Sequence, residues 1–284
     1  MKAPSFFIFL FFFVSAGLAG QENIVDFGKH KGDFYFYWGY NRAFYNTSTI
    51  HFEGNGYDFT LYDVYATDRP AKFDPKVYFN PKKISSPQFN FRMGYFLSDN
   101  WSLSLGSDHM KYVVIQNQHV MISGHIDEGL SSNYGGDYHK NYVFLRPEFL
   151  RYEHTNGFNF VRIGLENRSK IWQSTDAHHQ MVVMPGINAG LVLPWTNYTF
   201  LNTRHSDLFH WGGYGFSFTT AFRYEYKNTW FFQIQGQYGF SHLSRVLLED
   251  RSGEFVARQN IVFFERSFAL GAYLHSFNQQ RKKL

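Results

Sequence analysis

The stretch YGFSFTTAFRYEYKNTWFFQIQGQYGFS, residues 214–241, decides the fold. Tyr214, Phe216, Phe218, Phe222, Tyr224 and Tyr226 take alternate positions, with Gly215, Ser217, Thr219, Ala221, Arg223 and Glu225 between them. After Lys227-Asn228 the rhythm resumes, with Trp230, Phe232, Ile234, Tyr238 and Phe240 set against Gln233, Gln235, Gln237, Gly239 and Ser241. Period two is the side-chain repeat of a strand, so the stretch predicts an antiparallel hairpin with one apolar face and one small or polar face. A face turned to bulk water commonly carries Lys and Glu. This one carries Gly, Ser, Thr and Ala, which suit the crowded inside of a barrel. The aromatic row is then left for lipid.

The same alternation recurs along the chain. DFYFYWGYNRAFY (33–45) places Phe34, Phe36, Trp38 and Tyr40 on one row, and QFNFRMGYFL (88–97) opposes Phe89, Phe91, Met93, Tyr95 and Leu97 to Gln88, Asn90, Arg92 and Gly94. Beyond Ser98-Asp99-Asn100, Trp101, Leu103 and Leu105 alternate with Ser102, Ser104, Gly106 and Asp108. Residues 141–154 read as a strand that reaches Asn156-Gly157, a hairpin signal. Val161, Ile163 and Leu165 then oppose Arg162, Gly164 and Glu166. Residues 186–193 form another strand, closed by Pro194-Trp195-Thr196-Asn197. Two more begin at Tyr198 and near Asn260. Tight links at 98–100, 155–157 and 227–228, with long links at 46–86, 115–140, 169–180, 204–212 and 242–259, predict an all-β, antiparallel up-and-down transmembrane β-barrel. With residues 194–197 as a tight turn the strand count is about ten. Eight and twelve are the alternatives, twelve if residues 57–66 and 77–80 join the wall.

Composition agrees with strands rather than membrane helices. The 284 residues are 44% hydrophobic and 21% aromatic, with 34 Phe and 20 Tyr. Mean hydropathy is nevertheless −0.36, so apolar residues are interspersed, whereas a spanning helix needs roughly 18 or more in a row. Cysteine is absent, which excludes disulfides and a lipoprotein anchor. The net charge of +4 is scattered, not gathered into the basic stripe of a nucleic-acid binder. At the N-terminus, Lys2, the apolar run FFIFLFFFV (6–14) and the small residues SAGLAG follow the order of a secretory signal peptide, with cleavage after Ala19. The expected organisation is a signal peptide, 1–19, and one β-barrel domain, 20–284, with long extracellular loops.

Signal peptide, absent Cys, amphipathic strands, aromatic strand ends and an aromatic terminal strand together make the chain resemble the outer-membrane β-barrel proteins of Gram-negative bacteria. Its Phe- and Tyr-rich style is similar to that of Bacteroidota barrels. The resemblance implies residence in the outer membrane among its lipids and lipopolysaccharide, and delivery by the barrel insertion machinery. It also implies a last strand finishing on an aromatic residue. SFALGAYLHSF places Tyr273, His275 and Phe277 on one row, which makes Phe277 that residue. No cofactor is implied.

The polar row supplies the residues expected in the lumen: Arg92, Asp108, Arg162, Glu166, Arg223, Glu225, Gln233, Gln235 and Gln237. Charges in a confined space must pair or be hydrated, as a filled internal network or as a narrow selective path. In a small barrel side chains nearly fill the interior, which favours the network. Trp101, Tyr224, Tyr226 and Trp230 flank tight turns, where an interfacial aromatic girdle belongs.

Enzymatic signals are few. His242 and Ser244 share a strand face and resemble the His/Ser pair of outer-membrane lipid A deacylases, with Glu249 to orient the imidazole; Arg245 stands where those enzymes have Asn. Asp108-His109 and His205-Ser206-Asp207 resemble faintly the Asp and His pairs of outer-membrane proteases, although adjacent strand residues point to opposite faces. His178 and His179 with His205 and His210, and the acidic residues of 127–141, lack fixed ligand spacing for a metal. The loops at 46–86, with Pro70, Pro75 and Pro81 and with Pro87 just past its end, and 115–140 are the places to expect partner recognition.

Overall fold

The structure, a computed structural model, describes residues 29–72, 74–78, 80, 87–206, 209–249 and 254–275. In chain order the first strands are β1 (Phe34–Tyr45), β2 (Ser48–Gly54), β3 (Tyr57–Val64) and β4 (Ala66–Thr67), followed by the single-turn helix α1 (Pro75–Tyr78). Next come β5 (Phe89–Phe96), β6 (Trp101–Val114), β7 (Gln118–Ile126), β8 (Gly136–Leu145), β9 (Leu150–Asn167) and β10 (Ser169–Gln173). The chain ends with β11 (His179–Phe200), β12 (Thr203–Ser206), β13 (Gly213–Tyr226), β14 (Trp230–Leu247) and β15 (Val256–Leu274).

Eight of these strands close on themselves. The antiparallel order is β1-β5-β6-β9-β11-β13-β14-β15, and β15 pairs back onto β1 through a register that includes Trp38 with Leu270. The order closes on itself, so none of the eight strands is left as an open edge of the ring.

The ring has eight strands, not ten, because two of the breaks that the sequence predicts are absorbed inside long strands. Asn156-Gly157 is no hairpin: it sits in a bulge of β9, where the register shifts against both β6 and β11. Extra residues in one strand bend it without ending it. Pro194–Asn197 likewise lies inside β11, which runs on to Phe200. The link at 169–180 is also not a long loop: β10 continues the β9 edge along β11, and a short turn closes the hairpin.

Turns at 97–100, 174–178 and 227–229 therefore share one end of the ring with Phe34 and Leu274, near the two ends of the described chain. At the far end much of what the described residues form is more sheet. β2 takes over from β1 along β15, and β3, β7 and β8 extend the sheet from there. β4 and β12 add short ribbons to β6 and β11. Residues 57–66 belong to this raised cap and not to the ring; Pro75–Tyr78 is helical.

The ring and the cap have opposite insides. Toward the tight-turn end, Phe216, Phe218 and Phe232 are 54%, 68% and 43% exposed, whereas Ser217, Thr219, Arg223 and Gln233 are buried. Space for this is made by glycine. A Cβ on Gly94 would lie 2.1 Å from the Tyr35 ring, and one on Gly239 would lie 2.2 Å from the Phe263 ring. Toward the far end, Ile50, Phe52, Phe59, Leu61, Ile122, Tyr152, Phe158, Phe200, Leu243 and Ile261 form one buried apolar core. Phe52 stacks with Tyr198 at 5.6 Å and meets Tyr152 edge-on at 5.3 Å.

Candidate functional site: the lumen and the cap

Period-two alternation sends one side chain in two into the lumen, and a ring of eight strands is narrow enough for opposite walls to touch. Asp108 of β6 is the hub. It accepts from Arg162 Nε (2.5 Å), Arg92 Nη2 (3.2 Å) and Asn90 Nδ2 (2.9 Å). Gln237 of β14, diametrically across the ring, donates to the same carboxylate at 3.1 Å. Asn90 also bonds Glu265 of β15, and Arg162 bonds Asn188 of β11.

A second layer closes the tight-turn end. Arg168 grips Glu225 and donates to Gln180 at 3.0 Å. Tyr273 donates to Glu225 at 2.5 Å and accepts from Arg223 Nη1 at 2.8 Å. Arg223 is further held by Gln233 at 2.8 and 3.0 Å, and its guanidinium lies 3.9 Å from the Phe231 ring centroid. Tyr35 and Ser104 donate to the two oxygens of Glu166 at 2.7 and 2.8 Å. Gln235 takes Tyr37 and Gln233 as donors, at 3.4 and 3.3 Å. At the mouth itself, the buried His30 packs against Phe96 and Tyr273, and Asp33 bridges it to His275.

Thus Arg92, Asp108, Arg162, Glu166, Arg223, Glu225, Gln233, Gln235 and Gln237 all face inward. Arg92, Arg162, Arg168 and Arg223 are balanced by Asp108, Glu166, Glu225 and Glu265. The sequence reading misses Arg168, Glu265 and Asn188, along with the tyrosines that join the layers. Asn90 stands on the polar row already recognised. Tyr273, which the alternation assigns to the lipid-facing row of Phe277, is buried in the lumen instead. Phe277 lies outside the described residues, as does the signal peptide. Trp101, Tyr224, Tyr226 and Trp230 are all exposed around the tight turns.

The enzymatic pairs do not assemble. His242 bonds Asn260 at 2.7 Å, and Glu249 lies 3.1 Å from His205 instead. Ser244 sits exposed beside a register shift in β14. Asp108 is inside the barrel, whereas His109 is outside, stacked on Phe89 and bonded to Asn159. Asp207 is outside the described residues. His178 and His179 lie at the tight-turn end and His205 and His210 at the far end, so they cannot meet. In the β7–β8 hairpin His125 is flanked by Asp137 at 2.7 Å and Asp127 at 3.1 Å. Both carboxylates raise this exposed imidazole above its ordinary pKa. No group of three or more ligand residues is placed to hold a metal among the described residues.

The cap presents a groove of about 450 Å³ on its outer side, where Arg69, Arg151, Glu153 and Arg204 meet Asn197 and Thr199. Arg69 pairs with Glu153 at 2.6 Å. Deeper in the cap, His154 is wholly buried and bonds Thr196 at 3.0 Å. Burial pushes its imidazole down to about 3, because no water is at hand to stabilise the cation. Burial likewise pushes Tyr57 up to about 12.

No family model matches the sequence, and no curated protein matches it. Among solved structures the chain is similar to the outer membrane protein OprG from Pseudomonas aeruginosa, at 11% identity and a TM-score of 0.38, covering 88% of this chain and 99% of that one. It is also similar to Ail, the attachment invasion locus protein of Yersinia pestis, at 11% identity and TM-score 0.31, covering 86% and 99%. Neisserial surface protein A is similar at 7% identity and TM-score 0.30, covering 85% and 96%.

Proposed function

We propose that the chain is an integral outer-membrane β-barrel protein whose eight-stranded ring crosses the bilayer, with the tight turns on the periplasmic side and the cap outside the cell. The observation that carries this reading is the outer face of the closed ring. Phe34, Phe36, Leu103, Ile163, Ile187, Phe218, Ile234 and Leu270 are exposed there, one or more on strand after strand, around a buried ionic interior. Water would not tolerate an apolar surface of that extent on a monomer. Hydrocarbon would. The outward rows from Phe34 to Phe44 and from Leu274 to Phe264 have the length of about 9–11 residues that a tilted strand needs to cross.

The lumen in this reading is a structural plug. The Gln237–Asp108 bond spans the full diameter, and the buried arginines are tied by hydrogen bonds to side chains of other strands, so the network holds opposite walls together rather than lining a path. The protein is then non-enzymatic, and the working part is the cap, whose outer surface recognises a partner. Residues 46–86 and 115–140, the predicted recognition segments, contribute β2, β3, β4, β7 and much of β8 to that cap.

Two measurements test the reading. The protein should stay with membranes through a carbonate and urea wash and migrate in a heat-modifiable way on gels; release by the wash would refute membrane integration. In planar bilayers it should give no stable porin-sized openings, and large steady channels would refute the plug.

A further inference from the structure

On the outer wall, Arg42 of β1 stands directly opposite Arg266 of β15. Both point away from the lumen, since their chain neighbours Asn41, Ala43 and Glu265 are buried while Arg266 is exposed and Arg42 half-buried. Around them the outward rows carry Tyr40, Phe44, Phe264 and Phe268. Two like charges facing each other across neighbouring strands repel, and cations on a lipid-facing wall are costly unless they lie near the polar edge of the bilayer.

Their surroundings relieve the charge only in part, and among the described residues no carboxylate is hydrogen-bonded to either guanidinium. Arg42 Nη1 donates to the Asn41 carbonyl at 2.7 Å, and the Arg266 guanidinium lies 5.4 Å from the Phe44 ring centroid. The carboxylate of Asp68 is within electrostatic reach of Arg42, but it accepts the Ala43 N–H, and Lys111 nearby adds a further positive charge. Gly236 faces Arg266 from β14, so no side chain from that strand covers the guanidinium, and the Phe264 ring lies alongside. The pair is eight residues along from Phe34 and Leu274. At roughly 2.4 Å of height per tilted residue that is about 19 Å up an apolar band about 25 Å tall. Long side chains at that level can reach the headgroups.

We infer that Arg42 and Arg266 together clamp a phosphate on the head of an outer-leaflet glycolipid, with its acyl chains lying along Trp38, Phe36 and Leu270 below. Two guanidinium forks match phosphate oxygens geometrically and neutralise each other's repulsion through the shared anion. The assignment rests on the membrane reading and adds a specific lipid site to it.

The test uses the purified full-length protein in a neutral detergent, with bound lipid counted by native mass spectrometry. Bisphosphorylated lipid A should bind, dephosphorylated lipid A should bind much more weakly, and Arg42→Gln and Arg266→Gln should each weaken the former about tenfold. Arg258→Gln, which removes a cation already paired with Glu53 at 2.6 Å, should change nothing. Equal binding of the two lipids by the wild type would overturn the clamp, and so would unchanged binding by the double variant. Inorganic phosphate displacing lipid A at equal concentration would overturn the assignment to a lipid. If the double variant lost heat-modifiable migration, the two lipids compared on the wild type would still decide. Failure of the membrane reading looks different: the wild type would wash off membranes and retain neither lipid.

Discussion

The ring and the cap share the long strands β9, β11, β14 and β15 and obey opposite rules. Along β15, the inward row begins with Ala257, Ile261 and Phe263 in the cap and continues as Glu265, Ala269, Gly271 and Tyr273 in the ring. Along β9 it passes from Tyr152, Phe158 and Phe160 to Arg162 and Glu166. The backbone pattern does not change; on the membrane reading, the solvent outside does. In the cap, water surrounds the outer face, so the apolar residues turn in and the hydrophobic effect drives folding. In the ring, lipid is as apolar as leucine and offers no such drive. There, closure of the hydrogen-bond ladder and the buried ion network must specify the structure. Two regions stabilised by different forces should respond differently to the same insult.

The largest contrast comes from placing one charge in each interior or exterior. Phe52→Lys puts an unpaired cation into the cap core and should cost on the order of 5 kcal/mol. Proteolysis should then open residues 46–64 while the ring keeps its heat-modifiable migration. Loss of both together would mean that the two regions fold as one unit. Next, Asp108→Ala strands Arg92 and Arg162 in the lumen and should destabilise the ring by about 3–5 kcal/mol, read by urea unfolding in detergent, with the cap still resistant to protease. Phe218→Lys, on the lipid face, should cost about 2–4 kcal/mol in a bilayer. The same change should be nearly silent if that face were wet, which makes lipid-vesicle unfolding the informative assay.

The smallest effect is a pH dependence of the cap. His154 is held at about 3 when folded, against an ordinary 6.5. Between those values the unfolded chain binds a proton that the folded cap does not, so cap stability falls as pH drops below about 6.5, by up to about 1.4 kcal/mol per unit. Protease resistance of the cap at pH 7.5 and 5 should diverge, and His154→Gln should reduce the divergence. A wild type equally resistant at both values would remove His154 from the account.

Much of the ring was legible in the sequence. Residues 214–241 set out an aromatic row, a small row and a tight turn, and the structure pairs them as β13 and β14 from Gly213 with Leu243 to Tyr226 with Trp230, with three linking residues where the sequence suggested two. The strand count was less legible, because Asn156-Gly157 and Pro194 are ordinary turn signals and only the flanking registers reveal a bulge. The cap was hidden for a deeper reason. Alternation at Tyr57, Phe59 and Leu61 is the same whether the apolar row meets lipid or a core, so period two cannot say which side is inside. Glu265 escaped notice on the same grounds: it follows Phe263 on a row that changes from apolar to polar where the strand passes from cap to ring. Arg168 stands just before the segment read as a loop, 169–180, past the end of the recognised polar row, and its partner Glu225 is 57 residues away.

Because the chain has no cysteine, single-cysteine spin labels offer the most direct test of which surface meets lipid. With labels at Phe218 on the ring and Asp58 on the cap, in reconstituted vesicles, collision with oxygen should dominate at position 218 and collision with a water-soluble nickel chelate at position 58. A label at 218 that the chelate reaches as freely as it reaches 58 would place that aromatic row in water and contradict the membrane barrel.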